Sequence, residues 1–85
     1  MRLTLKYFAS LREALGPGGT LDWQPEGEPT AASLREWLRS QSEAHAQALA
    51  PGRAVRVALD QALADESTLL HDGAEVAFFP PVTGG

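Results

Sequence analysis

Alternating apolar residues near both ends of the chain constrain its fold most strongly. Apolar side chains recur at every second position within residues 2–8 and again within 75–79, the pattern of a half-buried strand. With 85 residues and no cysteine, the chain must build one small hydrophobic core without disulfides. Both strands are therefore predicted to belong to one sheet. The residues that share a face are Leu3, Leu5 and Tyr7 in the first strand, and Val76 and Phe78 in the last.

Two helices are predicted between these strands. The main helix follows Thr30, a good N-cap residue, and carries an apolar stripe over 31–48. A shorter helix is predicted over 11–15, because Ser10 and Glu13 have the spacing of a capping box.

Turns and short strands complete the pattern. A glycine-rich turn at 16–19 leads into a strand over 20–24, and alternation predicts another strand over 55–59. A tight turn at Asp60-Gln61 then precedes a short return strand at 62–63. This order predicts an α+β fold of the β-grasp, ubiquitin-like type, with a mixed sheet and one main helix packed on one face. In that arrangement the first and last strands lie parallel at the centre.

Charge and hydropathy exclude several classes of function. The net charge of −4 argues against nucleic acid as a partner, since nucleic-acid binding needs a basic surface. No apolar run approaches the roughly 18 residues of a membrane span, so no membrane association is predicted. The first residues lead directly into a strand without a signal peptide, and a cytoplasmic location is the expectation.

Residues inside the chain offer no convincing chemistry. His45 is predicted on an exposed helix surface and His71 in a turn, and their spacing suggests no metal site. Asp65 and Glu66 are predicted in a solvated loop, and Ser42 shows no sign of a histidine partner. No metal site and no internal active site are predicted.

The carboxyl end differs from the rest of the chain. Residues 1–79 are predicted to form the domain, and 80–85 an extended tail that ends in Gly84-Gly85. Pro80-Pro81 cannot continue a sheet ladder and favours an extended, stiff exit. Because glycine has no Cβ, the last two residues can enter a channel that a side chain would block.

Two aromatic residues are predicted on the outer face of the sheet. Phe8 and Phe79 fall on the face opposite the apolar residues of the first and last strands. Parallel neighbouring strands would bring them together in an apolar patch, which often marks a partner site.

Two segments resemble a known family. Residues 72–85 read DGAEVAFFPPVTGG and residues 7–16 read YFASLREALG. Both resemble MoaD proteins, the small subunit of molybdopterin synthase, and chain length and element order are also similar. The family often has an acidic residue in place of Ala74, a difference expected to alter only a turn.

The resemblance implies a mechanism. A MoeB-like enzyme would use ATP to adenylate the carboxylate of Gly85, and sulfur transfer would then convert it to a thiocarboxylate. A MoaE-like large subunit would accept the tail and pass its sulfur to cyclic pyranopterin monophosphate. This chain would bind no cofactor and would not be an enzyme by itself, the catalytic residues lying on the large subunit in a heterotetramer. The residues expected to thread into the partner are Pro80, Pro81, Val82, Thr83 and Gly84.

Three alternatives remain open from the sequence. The chain could carry sulfur for another pathway, such as thiamine, tRNA thiolation or cysteine synthesis. It could be a ubiquitin-like modifier in which Gly85 forms an isopeptide bond with a lysine. It could also be an interaction module with an inert tail.

Overall fold

The computed structural model describes residues 1–81. Three helices and five strands occur in this part of the chain. In order they are β1 (Arg2–Tyr7), α1 (Ala9–Leu15), β2 (Gly18–Asp22), α2 (Ala31–Arg39), α3 (Glu43–Ala48), β3 (Arg56–Leu59), β4 (Ala62–Ala64) and β5 (Glu75–Phe79).

The strands form one mixed sheet with the order β2-β1-β5-β3-β4. The central strand β5 is parallel to β1, with Tyr7 opposite Phe78, and antiparallel to β3, with Val57 opposite Phe78. The predicted central position of the first and last strands is therefore confirmed. Successive side chains of a strand point to opposite faces of the sheet, so every second residue packs against the helices and the residues between them lie on the outer face.

The core lies between the sheet and the helices. The predicted inward residues of β1 and β5 are all buried and join apolar residues of the helices in one cluster. Met1 attaches the start of the chain to the segment after β2, because its amino group donates to the Trp23 carbonyl at 2.8 Å. The buried cluster includes Leu3, Leu5, Tyr7, Leu11, Trp23, Leu34, Leu38, Leu49, Val57, Leu70, Val76 and Phe78.

The main helix was predicted too long. Thr30 caps α2 as expected, accepting from the Ser33 amide at 3.1 Å, but α2 ends at Arg39 and α3 is a separate helix. Ser40 and Ser42 explain the break. The Ser40 hydroxyl donates to the Trp37 carbonyl at 2.6 Å, and the Ser42 hydroxyl accepts from the His45 amide at 3.1 Å. Serine side chains thus replace the helical hydrogen bonds between α2 and α3.

The predicted capping box of the short helix is also wrong. Helix α1 begins at Ala9, directly after Phe8, and no side chain caps it. The start is set by the end of β1, where the Phe8 amide donates to the Phe78 carbonyl at 3.2 Å. Tertiary pairing with β5 therefore decides where this helix begins.

Strand β2 begins two residues earlier than predicted. Gly18 and Gly19 belong to the strand, with φ values of 97° and 152°. A Cβ at Gly18 would lie 2.2 Å from the Leu5 carbonyl oxygen, so the backbones of β1 and β2 approach closely here. Glycine permits this approach, which is why a turn-forming residue sits within a strand.

The segment between β4 and β5 closes the core. Asp60 and Gln61 form the predicted turn, with φ values of 50° and 68°. Leu70 is buried whereas Leu69 is 57% exposed, so Leu70 is the leucine of this pair that fills the core. Ala74 is completely buried and packs with the core cluster, so this position contributes to the core as well as to the turn before β5.

Candidate functional site

The carboxyl end of β5 is the point from which the tail departs. Phe79 closes this central strand, and Pro80 and Pro81 follow it outside any helix or strand. The proposed threading residues Val82, Thr83 and Gly84, like the reacting residue Gly85, lie outside the described residues. The boundary between domain and tail at residue 79 remains a prediction.

Phe8 and Phe79 lie at the same end of the sheet. They directly follow Tyr7 and Phe78, which are partners in the parallel register of β1 and β5. Phe8 is 45% exposed, and Phe79 is half-buried beside Arg56, its partner on β3. The structure therefore brings the two phenylalanines to one edge on the outer face, although Phe79 is less exposed than the sequence suggests.

The apolar outer surface extends further than the sequence analysis indicated. Leu63 on β4 is opposite Ala58, and Ala58 is opposite Ala77 on β5, so these residues form a row across the outer face. Leu63 is 68% exposed. On β5 the row lies at Ala77, two residues before Phe79 and on the same face. The alternation in Ala62-Leu63-Ala64 was the signal for Leu63, because two small residues flank one large outward residue. We call Phe8, Leu63 and Phe79 the outer apolar patch; Ala77, which lies between them on β5, is itself buried.

Charged groups border this patch. Lys6 lies opposite Ala77 and forms an ion pair with Glu75 at 3.1 Å. Arg56 is exposed beside Phe79. An apolar centre with a charged rim is the usual anatomy of a protein–protein interface.

The two histidines have structural contacts that the sequence analysis missed. His71 Nε2 lies 2.7 Å from Asp60 Oδ2, and this hydrogen bond is the main reason that the pKa of His71 is raised. The pKa of Asp60 is lowered, first by the Glu75 amide and then by His71. This pair links the β3–β4 turn to the segment before β5.

Ser42 does have a histidine neighbour, contrary to the sequence prediction. Its hydroxyl lies 2.7 Å from His45 Nδ1, and the His45 ring packs edge-on against Tyr7 with 6.5 Å between ring centroids. Since Ser42 also caps α3, its contacts are those of a structural residue.

Asp65 and Glu66 are both exposed, as predicted, but they have different contacts. Asp65 is exposed and accepts from Ser67, which lowers its pKa. Glu66 accepts from Arg35, a buried guanidinium that also donates to the Leu49 carbonyl at 2.9 Å. These contacts hold the loops around α3 together.

Residues 1–81 present an exposed apolar surface at the end of β5. Within this range no cluster of three potential metal ligands occurs, and no helix has the length and hydropathy to cross a membrane. What the geometry offers is an apolar patch beside the start of a narrow tail. Such a surface can dock a partner and direct the following residues towards it.

The fold has close counterparts among solved structures. SAMP1, a small archaeal modifier protein from Haloferax volcanii, is 24% identical with a TM-score of 0.77, and the similarity covers 100% of both chains. A protein–protein complex of subunits 1 and 2 of molybdopterin-converting factor from Helicobacter pylori contains a chain that is 24% identical, with a TM-score of 0.67 and 100% coverage of both chains. These likenesses confirm the β-grasp architecture.

Sequence comparison identifies the family. The molybdopterin synthase sulfur carrier subunit of Escherichia coli is 42% identical over 82 residues, which cover 93% of this chain and 94% of the relative. The resemblance to MoaD proteins is thereby confirmed. A family model described as the ThiS family matches residues 5–85. The chain therefore belongs to the ThiS family and, within it, to the molybdopterin synthase sulfur carrier subunits.

Proposed function

We propose that this chain carries sulfur as the small subunit of a molybdopterin synthase. The 42% identity to the Escherichia coli sulfur carrier subunit, over 93% of this chain, is the observation that carries the proposal. The Gly85 carboxylate is adenylated, converted to a thiocarboxylate, and then gives its sulfur to cyclic pyranopterin monophosphate. ATP is consumed by the activating partner, and this chain holds no cofactor of its own.

The chemistry explains why an activating partner is needed. A carboxylate is a poor electrophile, because its leaving group would be an oxide. Transfer of AMP from ATP to one carboxylate oxygen releases pyrophosphate and creates a good leaving group. A sulfur nucleophile then attacks the acyl carbon, AMP departs, and the thiocarboxylate is formed. The thiocarboxylate sulfur bonds to a carbon of the pterin and forms a thioester, and water then cleaves the acyl C–S bond, which leaves the sulfur on the pterin and restores the carboxylate.

Residues of this chain serve as binding and presenting groups. Phe8, Leu63 and Phe79 supply apolar contacts next to the exit of β5. Pro80 and Pro81 restrict the backbone and lower the entropy lost when the tail is ordered in a partner. The residues that accelerate the reaction belong to the partners.

Two partner proteins follow from this role. A MoaE-like large subunit accepts the tail, and two copies of each subunit form a heterotetramer. The Helicobacter pylori structure, a complex of two subunits of molybdopterin-converting factor, supports such a partner. A MoeB-like adenylating enzyme binds the same patch at a different stage, because both must reach Gly85.

Intact mass measurement tests the chemistry. Incubation with a MoeB-like enzyme, ATP and a sulfur donor is expected to replace one oxygen by one sulfur. Deletion of Gly85 should abolish this exchange without lowering the melting temperature. As a matched control, Gly52→Ala alters an exposed glycine with no atom within 4 Å of the added Cβ and should load normally. Stable conjugates with other proteins in place of the exchange would instead identify a modifier.

Binding to the large subunit tests the outer apolar patch. Leu63→Asp and Phe79→Asp should each weaken binding by at least about thirtyfold, which corresponds to the loss of about 2 kcal/mol at an interface hot spot. Leu63 is 68% exposed, so its substitution tests the interface with little effect on folding. Thr20→Asp adds the same charge to an exposed position of edge strand β2 and serves as the control. Unchanged affinity of Leu63→Asp and Phe79→Asp would place the interface elsewhere.

A further inference from the structure

A groove of about 570 Å³ lies on the helix side of the molecule, away from the outer apolar patch. One wall is the loop that follows β2, including Glu26 and Glu28, and the other is the face of α2 that carries Glu36 and Trp37. Trp37 is half-buried, so part of its indole is accessible in the groove. The proposed sulfur chemistry uses none of these residues.

The groove is negatively charged. Glu26 and Glu28 are exposed, and their carboxylates have no hydrogen bond or ion pair among residues 1–81. Glu36 is partly neutralised by Arg39, at 2.9 Å, but Arg39 does not line the groove. None of the lining residues is Lys, Arg or His. The accessible indole of Trp37 is therefore surrounded by carboxylates, and no basic side chain among the residues that line the groove neutralises them.

Hydrogen bonds fix both ends of the loop that forms the groove. At one end, the Trp23 amide donates to the Met1 carbonyl at 2.8 Å. At the other end, the Glu28 carbonyl accepts from the Ser33 hydroxyl at 2.8 Å and from the Thr30 amide at 2.9 Å. A wall anchored at both ends limits the ordering cost of binding.

The Trp23 end of the groove also lies far from the tail. Trp23 pairs with Met1 at the start of β1, whereas Phe8 and the exit of β5 lie at the other end of that strand. Six strand residues separate these ends by about 20 Å. A segment bound at this end of the groove can therefore remain in place while the tail is engaged by another protein.

We propose that this groove docks a basic segment of a partner protein, with an arginine side chain over Trp37 and its guanidinium directed to Glu26 and Glu28. Arginine fits this site because its planar group stacks on indole and also donates two hydrogen bonds to a carboxylate. The opposite charges would accelerate the encounter and make it sensitive to salt. This docking is independent of the sulfur chemistry at Gly85.

Titration with a defined peptide tests the proposal. The probe is acetyl-Ala-Arg-Ala-Arg-Ala-amide, and the same peptide with citrulline in place of arginine has nearly the same shape but no charge. Nuclear magnetic resonance spectra should show saturable shifts of the Trp37 indole N–H and of the amides of 24–28 with the arginine peptide. The citrulline peptide should give shifts that are much smaller.

Paired variants separate the groove from general charge. Glu26→Gln with Glu28→Gln should weaken binding at least about threefold, as expected for exposed ion pairs. Glu13→Gln with Glu43→Gln removes the same charge from α1 and α3 and should leave the affinity nearly unchanged. Equal binding of both peptides, or equal weakening in both double variants, would overturn the proposal. So would groove shifts produced by raising the protein concentration alone, because a second copy would then be the occupant.

Discussion

The buried hydroxyl of Tyr7 allows the energetics of the core to be tested directly. Tyr7 is 3% exposed, and its ring stacks on Phe78 with 6.3 Å between centroids. Its hydroxyl has no hydrogen-bond partner among residues 1–81. A buried hydroxyl without a partner costs about 1–3 kcal/mol relative to water. Tyr7→Phe removes that group and keeps the ring, so we expect the variant to be more stable.

The expected gain at neutral pH is about 1–2 kcal/mol, the lower part of that range, because the structure around the hydroxyl can relax. For a domain of this size each kcal/mol raises the melting temperature by about 4–8 °C. Chemical unfolding followed by fluorescence of Trp23 and Trp37 measures the change. The variant should require more denaturant at the midpoint and show the same dependence on denaturant concentration.

Alkaline pH provides a second, independent measurement. Burial raises the pKa of Tyr7 from 10.0 to about 12. The unfolded chain therefore loses the phenolic proton before the folded chain does. The stability that results is complete below pH 10 and is lost as the pH rises towards 12, by at most about 3 kcal/mol. Tyr7→Phe should lack this loss, and since Tyr7 is the only tyrosine, phenolate absorbance reports its ionisation directly.

Ser42→Ala is the matched control, because it removes a hydroxyl that does have partners. Ser42 accepts from the His45 amide, and loss of such a cap costs about 0.5–2 kcal/mol. The two substitutions should therefore change stability in opposite directions. A Tyr7→Phe variant less stable than the wild type at neutral pH would refute the assignment of an unpartnered hydroxyl. A phenolate transition near pH 10 would refute its burial.

Two further predictions concern the backbone and the surface. Gly16→Ala and Gly18→Ala both place alanine at positive φ, at a cost of about 1–2 kcal/mol, but only at Gly18 would the Cβ meet the Leu5 carbonyl oxygen. Thermal unfolding should show Gly18→Ala less stable by at least about 1 kcal/mol more, and equal losses would contradict this close approach. The raised pKa of His71 adds stability below pH 6.5 that is lost at higher pH, and the lowered pKa of Asp60 adds stability above pH 3.8. The difference in unfolding free energy between the wild type and His71→Asn should therefore be largest between pH 3.8 and pH 6.5 and should decrease towards pH 9. A difference that does not change with pH would contradict the pairing of His71 with Asp60.

The strands could be predicted from the sequence because apolar and polar side chains alternate along them, and this alternation indicates which face is buried. The last strand was predicted with the bounds that the structure shows, Glu75–Phe79, and the inward residues of β1 were all identified. One-sided burial imposes a period of two, and that period survives in the sequence. The outer position of Phe8 and Phe79 followed from the same rule.

Helix boundaries and long-range contacts could not be predicted in this way. Helical periodicity continues from α2 into α3, and only the serine contacts that separate them reveal the break. Leu63 became part of the outer apolar patch through the pairing of β4 with β3, which a short segment does not encode by itself. The contact of His71 with Asp60 likewise joins two turns that are distant in the chain.

The position of β5 explains how a small fold can present a narrow tail accurately. This strand is hydrogen-bonded to β1 on one side and to β3 on the other, so Phe79 is fixed by the most connected part of the sheet. The six residues from Pro80 to Gly85 can reach at most about 20 Å beyond it. A partner site that receives Gly85 must therefore lie within that distance of the outer apolar patch. The proposed docking on the patch and the proposed threading of the tail would thus be coupled by geometry, and a charge placed at Leu63 should impair both although Gly85 itself is unchanged.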